Sequence, residues 1–190
     1  MAQSGDGSVL YVCGSATNIF QWKGTWSPTS FPIDMWKCIA TDTTGSNVYA
    51  CGSGNLYSSH DSGKSNQAIG PLAPWTSIAC DPTGRIVVAC ADQDYVYVST
   101  NAGATWNPKG SKRAWRGVSY NATSRCLAAV AYNDHVYVST NMGTTWKQEA
   151  TADLWTAVVA NRNSVSVVGA NTVIVDGTDY EPTTTTSACG

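Results

Sequence analysis

Residues 75–106 read WTSIACDPTGRIVVACADQDYVYVSTNAGATW, and the plan of this stretch recurs along the chain. A tryptophan opens the run WTSIAC (75–80), a turn follows, RIVVACA (85–91) continues to a second turn at Asp92-Gln93-Asp94, and YVYVST (95–100) leads into a polar, glycine-containing segment. Trp36, Trp75, Trp115 and Trp155 stand 39, 40 and 40 residues apart and open WKCIAT, WTSIAC, WRGVSY and WTAVVA. The second run returns as SVLYVCGS (8–15), NVYACG (47–52), RCLAAVA (125–131) and SVSVVGA (164–170), and the third as HVYVST (135–140). Val, Ile and Tyr fill these runs, Gly, Asn, Asp and Pro punctuate them, and no apolar stripe of helical period appears, so the chain reads as all-β.

A repeat of about 40 residues holding several short strands has the blade length of a radially repeated β-propeller. The expected architecture is a five-bladed β-propeller with three to four antiparallel strands per blade, lettered A to D from the axis outward. Its blades would cover residues 1–33, 34–73, 74–113, 114–153 and 154–180 of a single domain spanning 1–180. Aligning SGDGSVLYVCG with TTGSNVYACG sets Met1-Ala2-Gln3 against Ile39-Ala40-Thr41, so the first blade reads as truncated. Residues 181–190 are expected to be a Thr-rich C-terminal tail, or a ring-closing strand in which Ser187-Ala188-Cys189 matches Ile78-Ala79-Cys80.

The connection from strand C to strand D is the most specific local signal. It reads SHDSGKSN at 59–66, STNAGATW at 99–106 and STNMGTTW at 139–146. These segments resemble the Asp-box (BNR) hairpin, Ser-x-Asp-x-Gly-x-Thr-Trp, of sialidase-like and photosystem-assembly-factor-like propellers. The resemblance implies that Ser59, Ser99 and Ser139 begin the turn, and that Asp61, Asn101 and Asn141 bond their own backbone. It further implies that Gly63, Gly103 and Gly143 take a positive φ, while Trp106 and Trp146 pack beneath the hairpin. Glycine reaches φ > 0 without steric cost, and a short polar side chain mimics a turn hydrogen bond, so the roles make physical sense. The second hairpin departs from the pattern with Asn66 in the tryptophan position, and the first blade keeps only KGTW at 23–26.

Only 13% of the residues are charged and the formal net charge is −2, which excludes a basic nucleic-acid binder and a charged disordered chain. No apolar run approaches the ~20 residues of a membrane span. Seven cysteines lack any CxxC spacing, and with only His60 and His135 beside them no metal site or cofactor is expected. The five arginines follow no sialidase pattern, no GxSxG, HExxH or phosphate loop is present, and the expectation is a non-enzyme.

Candidate binding residues lie where the B-to-C and D-to-A connections share one face. Trp36, Trp75, Trp115 and Trp155 with Asp94, Asp134 and His135 form a sugar-type constellation, because sugar C–H faces stack on rings and hydroxyls need short polar partners. The competing reading is blade-to-blade packing, since each Trp is followed at alternate positions by small residues such as Cys38 and Ala40, or Ser77 and Ala79. Lys109, Lys112 and Arg113 in the loop 106–115 read as a solvated basic cluster. Asn121-Ala122-Thr123 is an N-glycosylation sequon, and with EPTTTTS (181–187) it points to an extracellular or cell-surface setting. The function expected is a non-enzymatic extracellular structural or interaction module assembling into arrays or filaments. A carbohydrate-binding lectin and a protein-assembly factor are the alternatives. Its partners would be other protein chains, copies of itself, or glycans, and not nucleic acid.

Overall fold

A computed structural model describes residues 1–149, 153–160, 165–169 and 172–173, and every regular element among them is a strand. The Thr-rich segment 181–187 and the proposed ring-closing Ser187-Ala188-Cys189 lie outside the described residues. The first antiparallel unit is β1 (Ala2–Gln3), β2 (Leu10–Val12), β3 (Phe20–Trp22) and β4 (Trp26–Pro28), in that spatial order. The second repeats it with β5 (Cys38–Thr41), β6 (Val48–Cys51), β7 (Leu56–Ser59) and β8 (Gln67–Ile69).

The remaining strands are β9 (Trp75–Cys80), β10 (Val87–Ser99), β11 (Asn107–Asn121), β12 (Cys126–Asp134), β13 (Val136–Ser139) and β14 (Lys147–Gln148). After them come β15 (Asp153–Ala160), β16 (Val165–Gly169) and β17 (Thr172–Val173). Here the units fuse into one nine-stranded sheet, because β11 serves as the outer strand of the third unit and the inner strand of the fourth, and β12 pairs with β15 of the next.

Successive innermost strands touch in the order β1, β5, β9, β11 and β15. Their far ends converge: Gln3, Thr41, Cys80 and Tyr120 line one cavity of about 310 Å³. Units that share an axial opening in this way are arranged radially.

The core lies between units rather than within them. Val48, Tyr49, Ala50 and Cys51 of β6 are all fully buried, so both faces of that sheet are covered. Val48 and Ala50 pack with Val9, Tyr11 and Ile19 of the first unit, while Tyr49 and Cys51 pack with Trp75, Ile78 and Ala89 of the third. The same alternation sends Val88 and Cys90 toward Trp115 and Val118, and Ala128 and Val130 toward Trp155 and Val158. A pleated strand points successive side chains to opposite faces, so near-continuous apolar runs are what a doubly covered strand requires. Hydrogen bonds reinforce the stacking: the Tyr11 hydroxyl donates to the Gly45 carbonyl at 2.6 Å and the Tyr49 hydroxyl to the Gly84 carbonyl at 2.5 Å.

Three hairpins join outer strands by one recipe. The Ser59, Ser99 and Ser139 hydroxyls accept from the amides of Gly63, Gly103 and Gly143 at 2.8, 2.9 and 2.9 Å. Asp61, Asn101 and Asn141 accept from the amides of Ser65, Thr105 and Thr145 at 2.8, 2.9 and 2.9 Å. The glycines sit at φ +79, +87 and +78. A Cβ on them would lie 2.8 Å from Thr29 Cγ2, 2.7 Å from Ile69 Cδ1 and 2.9 Å from Lys109 Cβ, all in the preceding unit. Glycine is therefore needed twice over, for its backbone angle and for the close approach. Where the second hairpin lacks tryptophan, Asn66 Nδ2 donates to the Ser30 carbonyl at 2.7 Å. At the matching places Gly70 and Gly110 lie against the Trp106 and Trp146 indoles.

Gly103→Ala should cost about 1–3 kcal/mol in urea unfolding, from strain at positive φ plus the clash with Ile69. Gly54→Ala, with nothing within 4 Å and no positive φ, should change stability by less than about 1 kcal/mol. Equal effects at the two positions would contradict the packing described. The three hairpins should also part company in acid. Hydrogen bonds from Ser65 and Ser59 hold the Asp61 carboxyl at about 2, below its ordinary 3.8, whereas Asn101 and Asn141 do not titrate. A depressed folded-state pKa stabilises above the unfolded value, and that stabilisation is lost as pH falls from 3.8 through about 2. Asp61→Asn should flatten this part of the stability profile, read as urea midpoints across the window.

Candidate functional site

The loop face is built by connections of two chemistries. Between β4 and β5 the chain reads FPIDMW (31–36), and between β8 and β9 it reads GPLAPW (70–75). Proline lacks an amide donor, so Pro32, Pro71 and Pro74 bar these links from continuing as paired strands. They dock instead through single contacts. Thr17 bridges Asp34, the Ser53 hydroxyl donates to Asp34 Oδ1 at 2.8 Å, and the Ala73 amide donates to the Gly54 carbonyl at 3.2 Å. This leaves Ile33 71%, Leu72 79% and Met35 50% exposed.

The third connection, GSKRAW (110–115), contains no proline. The expectation of a solvated loop at 106–115 is corrected here: residues 107–115 belong to the continuous β11, where Ala114 pairs with Asp92 and Arg113 with Asp94. Charge pairing is the reason. Lys112 Nζ lies 3.0 Å from Asp94 Oδ1, Arg113 2.6 Å from Asp134 Oδ2, and Arg116 2.8 Å from Asp92 Oδ1. The same three cations lie over the rings of Tyr95, Tyr137 and Tyr132, with the Arg113 guanidinium closest at 4.4 Å. One connection thereby clamps the turns of two units.

Asp134 is the hub of this clamp. Its Oδ1 accepts from the His135 amide at 2.8 Å and the Tyr137 hydroxyl at 2.9 Å, and it lies 2.9 Å from His135 Nδ1. Partial burial pushes its pKa upward, but the bonds from His135, Tyr137 and Arg113 outweigh that and hold it at about 2. Burial and the Asp134 bond raise the Tyr137 hydroxyl to about 12, and burial with Asp94 does the same for Tyr97. Asp94, Asp134 and His135 are therefore brought to one face, with Asp134 and His135 in one cluster with Arg113 and Asp94 paired separately with Lys112.

The four tryptophans are not an open platform. Trp36, Trp75, Trp115 and Trp155 are 5%, 2%, 1% and 3% exposed. The first three meet Tyr57, Tyr97 and Tyr137 edge-to-face at centroid distances of 5.5, 5.2 and 5.3 Å. Trp106 and Trp146 lean on Trp75 and Trp115 at 6.4 and 6.2 Å. The small residues following each tryptophan let the adjoining sheet approach, which draws the indoles into the core.

Asn121 sits at the opposite end, in the axial cavity. Its Oδ1 accepts from the amides of Thr123 and Ser124 at 3.0 Å each, and its Nδ2 donates to the Ala160 carbonyl at 3.4 Å. The amide caps its own turn and reaches the next unit rather than projecting outward as a glycan acceptor would. Sequence reasoning missed Arg116, Tyr95 and Tyr132 in the clamp, and the exposed Ile33, Met35 and Leu72. The absence of proline from 109–116 beside four cations was the available signal.

No protein-family model and no curated protein sequence matches the chain. Solved structures do. YCF48 bound to a D1 peptide aligns with a TM-score of 0.67 at 11% identity over 90% of this chain and 62% of its own. A chain of a nidogen/laminin complex aligns with a TM-score of 0.74 at 14% identity, over 88% of this chain and 70% of its own. The GH74 enzyme of Niastella koreensis gives 0.73 and 14%, over 89% of this chain and 32% of its own. The chain thus spans 62% of the length of that YCF48. At such identities the likeness bears on architecture alone, and with the radial stacking of its sheets it makes the fold a β-propeller.

Proposed function

We propose that the chain is a non-enzymatic interaction module that holds a protein partner on its loop face, as an assembly factor would. The observation that carries the reading is the exposure of Ile33 and Leu72, at 71% and 79%, on neighbouring connections of one face. Large apolar side chains left in solvent on adjoining connections offer the kind of surface that a protein contact uses. Next to them lies the clamp, with Lys112 on its rim. An extended peptide with apolar and acidic residues suits both halves of this face. The solved propellers that hold a D1 peptide, or that belong to a nidogen/laminin complex, lend support to a protein partner.

The non-enzymatic part rests on chemistry. On the loop face Asp92, Asp94 and Asp134 are each committed to a different cation, which supports a binding role there over acid–base work. The burial of the tryptophans removes the stacking surface that a lectin would need. The Ser-x-Asp/Asn-x-Gly hairpins are read as Asp boxes, with a scaffold role. An extracellular setting remains part of the proposal on the strength of the Thr-rich 181–187 segment.

Self-association is a second reading, favoured by one contrast. Val168 is 42% exposed, while Cys51, Cys90 and Val130 at the equivalent register positions are fully buried against a following unit.

Peptides selected by the purified chain from a displayed random library should bind the Ile33→Ser/Leu72→Ser variant at least about tenfold more weakly, a loss of about 1.4 kcal/mol. Its urea midpoint should stay unchanged. Failure to select peptides, or equal binding by the variant, would sink the docking proposal. For self-association, sedimentation velocity should show concentration-dependent growth that Val168→Asp abolishes; a monomer at every concentration eliminates that reading.

A further inference from the structure

Cysteines recur at one register position of the propeller. Cys51 and Cys90 occupy the same place in β6 and β10, opposite Cys38 in β5 and Ser77 in β9. In the fourth unit the matching pair is Gly117 and Val130, and in the last described unit Ala157 and Val168. Among the described residues only the second unit sets a cysteine directly across from a cysteine. Both side chains point to the third unit, where they join the cluster around Trp75, Ile78 and Ala89. The two thiols face each other as register partners, and the Cys38 thiol donates to the Ile78 carbonyl oxygen at 3.5 Å. Both are free thiols.

Directly opposed residues of an antiparallel pair have Cα atoms about 4.5–5.5 Å apart, inside the roughly 4.4–6.8 Å that a disulfide bridges. The two sites are unequal in access. Cys38 is half-buried on the innermost strand, whereas Cys51 is fully buried. We infer that Cys38 and Cys51 form a reversible dithiol–disulfide pair, with Cys38 the attacking thiol, Cys51 the resolving thiol, and a small-molecule disulfide such as oxidised glutathione as the oxidant. The neighbouring Cys51 thiol holds the Cys38 thiol below its ordinary 9.0, which favours its ionisation over that of its partner. Burial raises Cys80 and Cys90 to about 12 and leaves them protonated. A thiolate beside a resolving thiol is the arrangement that redox-responsive cysteines use.

The chemistry balances. Cys38 thiolate attacks one sulfur of glutathione disulfide, forming a mixed disulfide and expelling one glutathione thiolate. Cys51 then loses its proton and attacks Cys38 Sγ, forming the intramolecular disulfide and expelling the second glutathione. Two electrons pass from the protein thiols to the glutathione disulfide, which ends as two thiols.

Trypsin provides a direct readout, because Cys38 and Cys51 fall in one peptide, residues 38–64. The full-length chain is treated with oxidised glutathione near neutral pH, unfolded in the presence of iodoacetamide, and digested. The expected product is peptide 38–64 lighter by two hydrogens and carrying no alkyl group, restored to two alkyl groups by dithiothreitol. Cys51→Ser should instead trap glutathione on Cys38, and Cys38→Ser should leave Cys51 alkylated. Under native conditions iodoacetamide should label Cys38 at least about tenfold faster than Cys80 or Cys90. A doubly alkylated wild-type peptide, a persistent glutathione adduct on wild-type Cys38, or a link from Cys38 to Cys90 or Cys13 would each overturn the inference. The wild-type measurement stands even if a variant fails to fold.

Discussion

No sheet in this chain can bury both of its faces by itself, and the contact of one sheet with the next is what every other feature serves. The small side chains that follow each inner-strand tryptophan bring the neighbouring sheet close, and the indole then fills the space above them. Tyrosine hydroxyls reach across to the glycine carbonyls of the following turn, and hairpin glycines admit an outer-strand side chain from the preceding unit. Stability in such an array belongs to interfaces between repeats more than to the repeats themselves. A substitution at one interface is therefore felt by two units at once.

The loop face follows from a local choice made three times. Two connections carry proline and stay irregular, which exposes their isoleucine, methionine and leucine side chains. The third has lysine and arginines in place of proline, remains extended, and uses those cations to neutralise the acids of the adjoining turns. Partially buried ion pairs of this kind do more for geometry than for net stability, since desolvation offsets much of the attraction. Their effect here is to fix the relative position of two units and to confine the apolar surface to one side of the face.

Much of this was legible from residue spacing. The recurrence of tryptophan at 36, 75, 115 and 155 identified equivalent sheets, and the apolar runs named the strands that would be covered on both faces. The serine, Asp/Asn and glycine positions of the outer hairpins were likewise readable, because backbone sign and turn bonding are local properties. The site was less so. Whether an indole at a strand end faces solvent or core depends on the separation of two sheets, which spacing along the chain does not encode. The extended 107–115 segment looked like a loop because its polar composition masked partners that lie 21 residues away in sequence, as Arg113 and Asp134 do. Asn121 carried a sequon, yet its role was set by a carbonyl on the next unit. The opposition of Cys38 and Cys51 was hidden for the same reason, since it is a matter of strand register.

Because β11 runs unbroken from the rim of the third unit to the axis of the fourth, those two units share a single covalent spar. The first two units are each tied to the next through a proline-bearing joint. A pull on the outer edge of the third unit is transmitted along the backbone straight to the axial opening beside Tyr120 and Asn121. The first two units have joints where such a displacement is absorbed. The propeller is thus mechanically uneven, stiff on the cationic side and compliant where its apolar residues protrude.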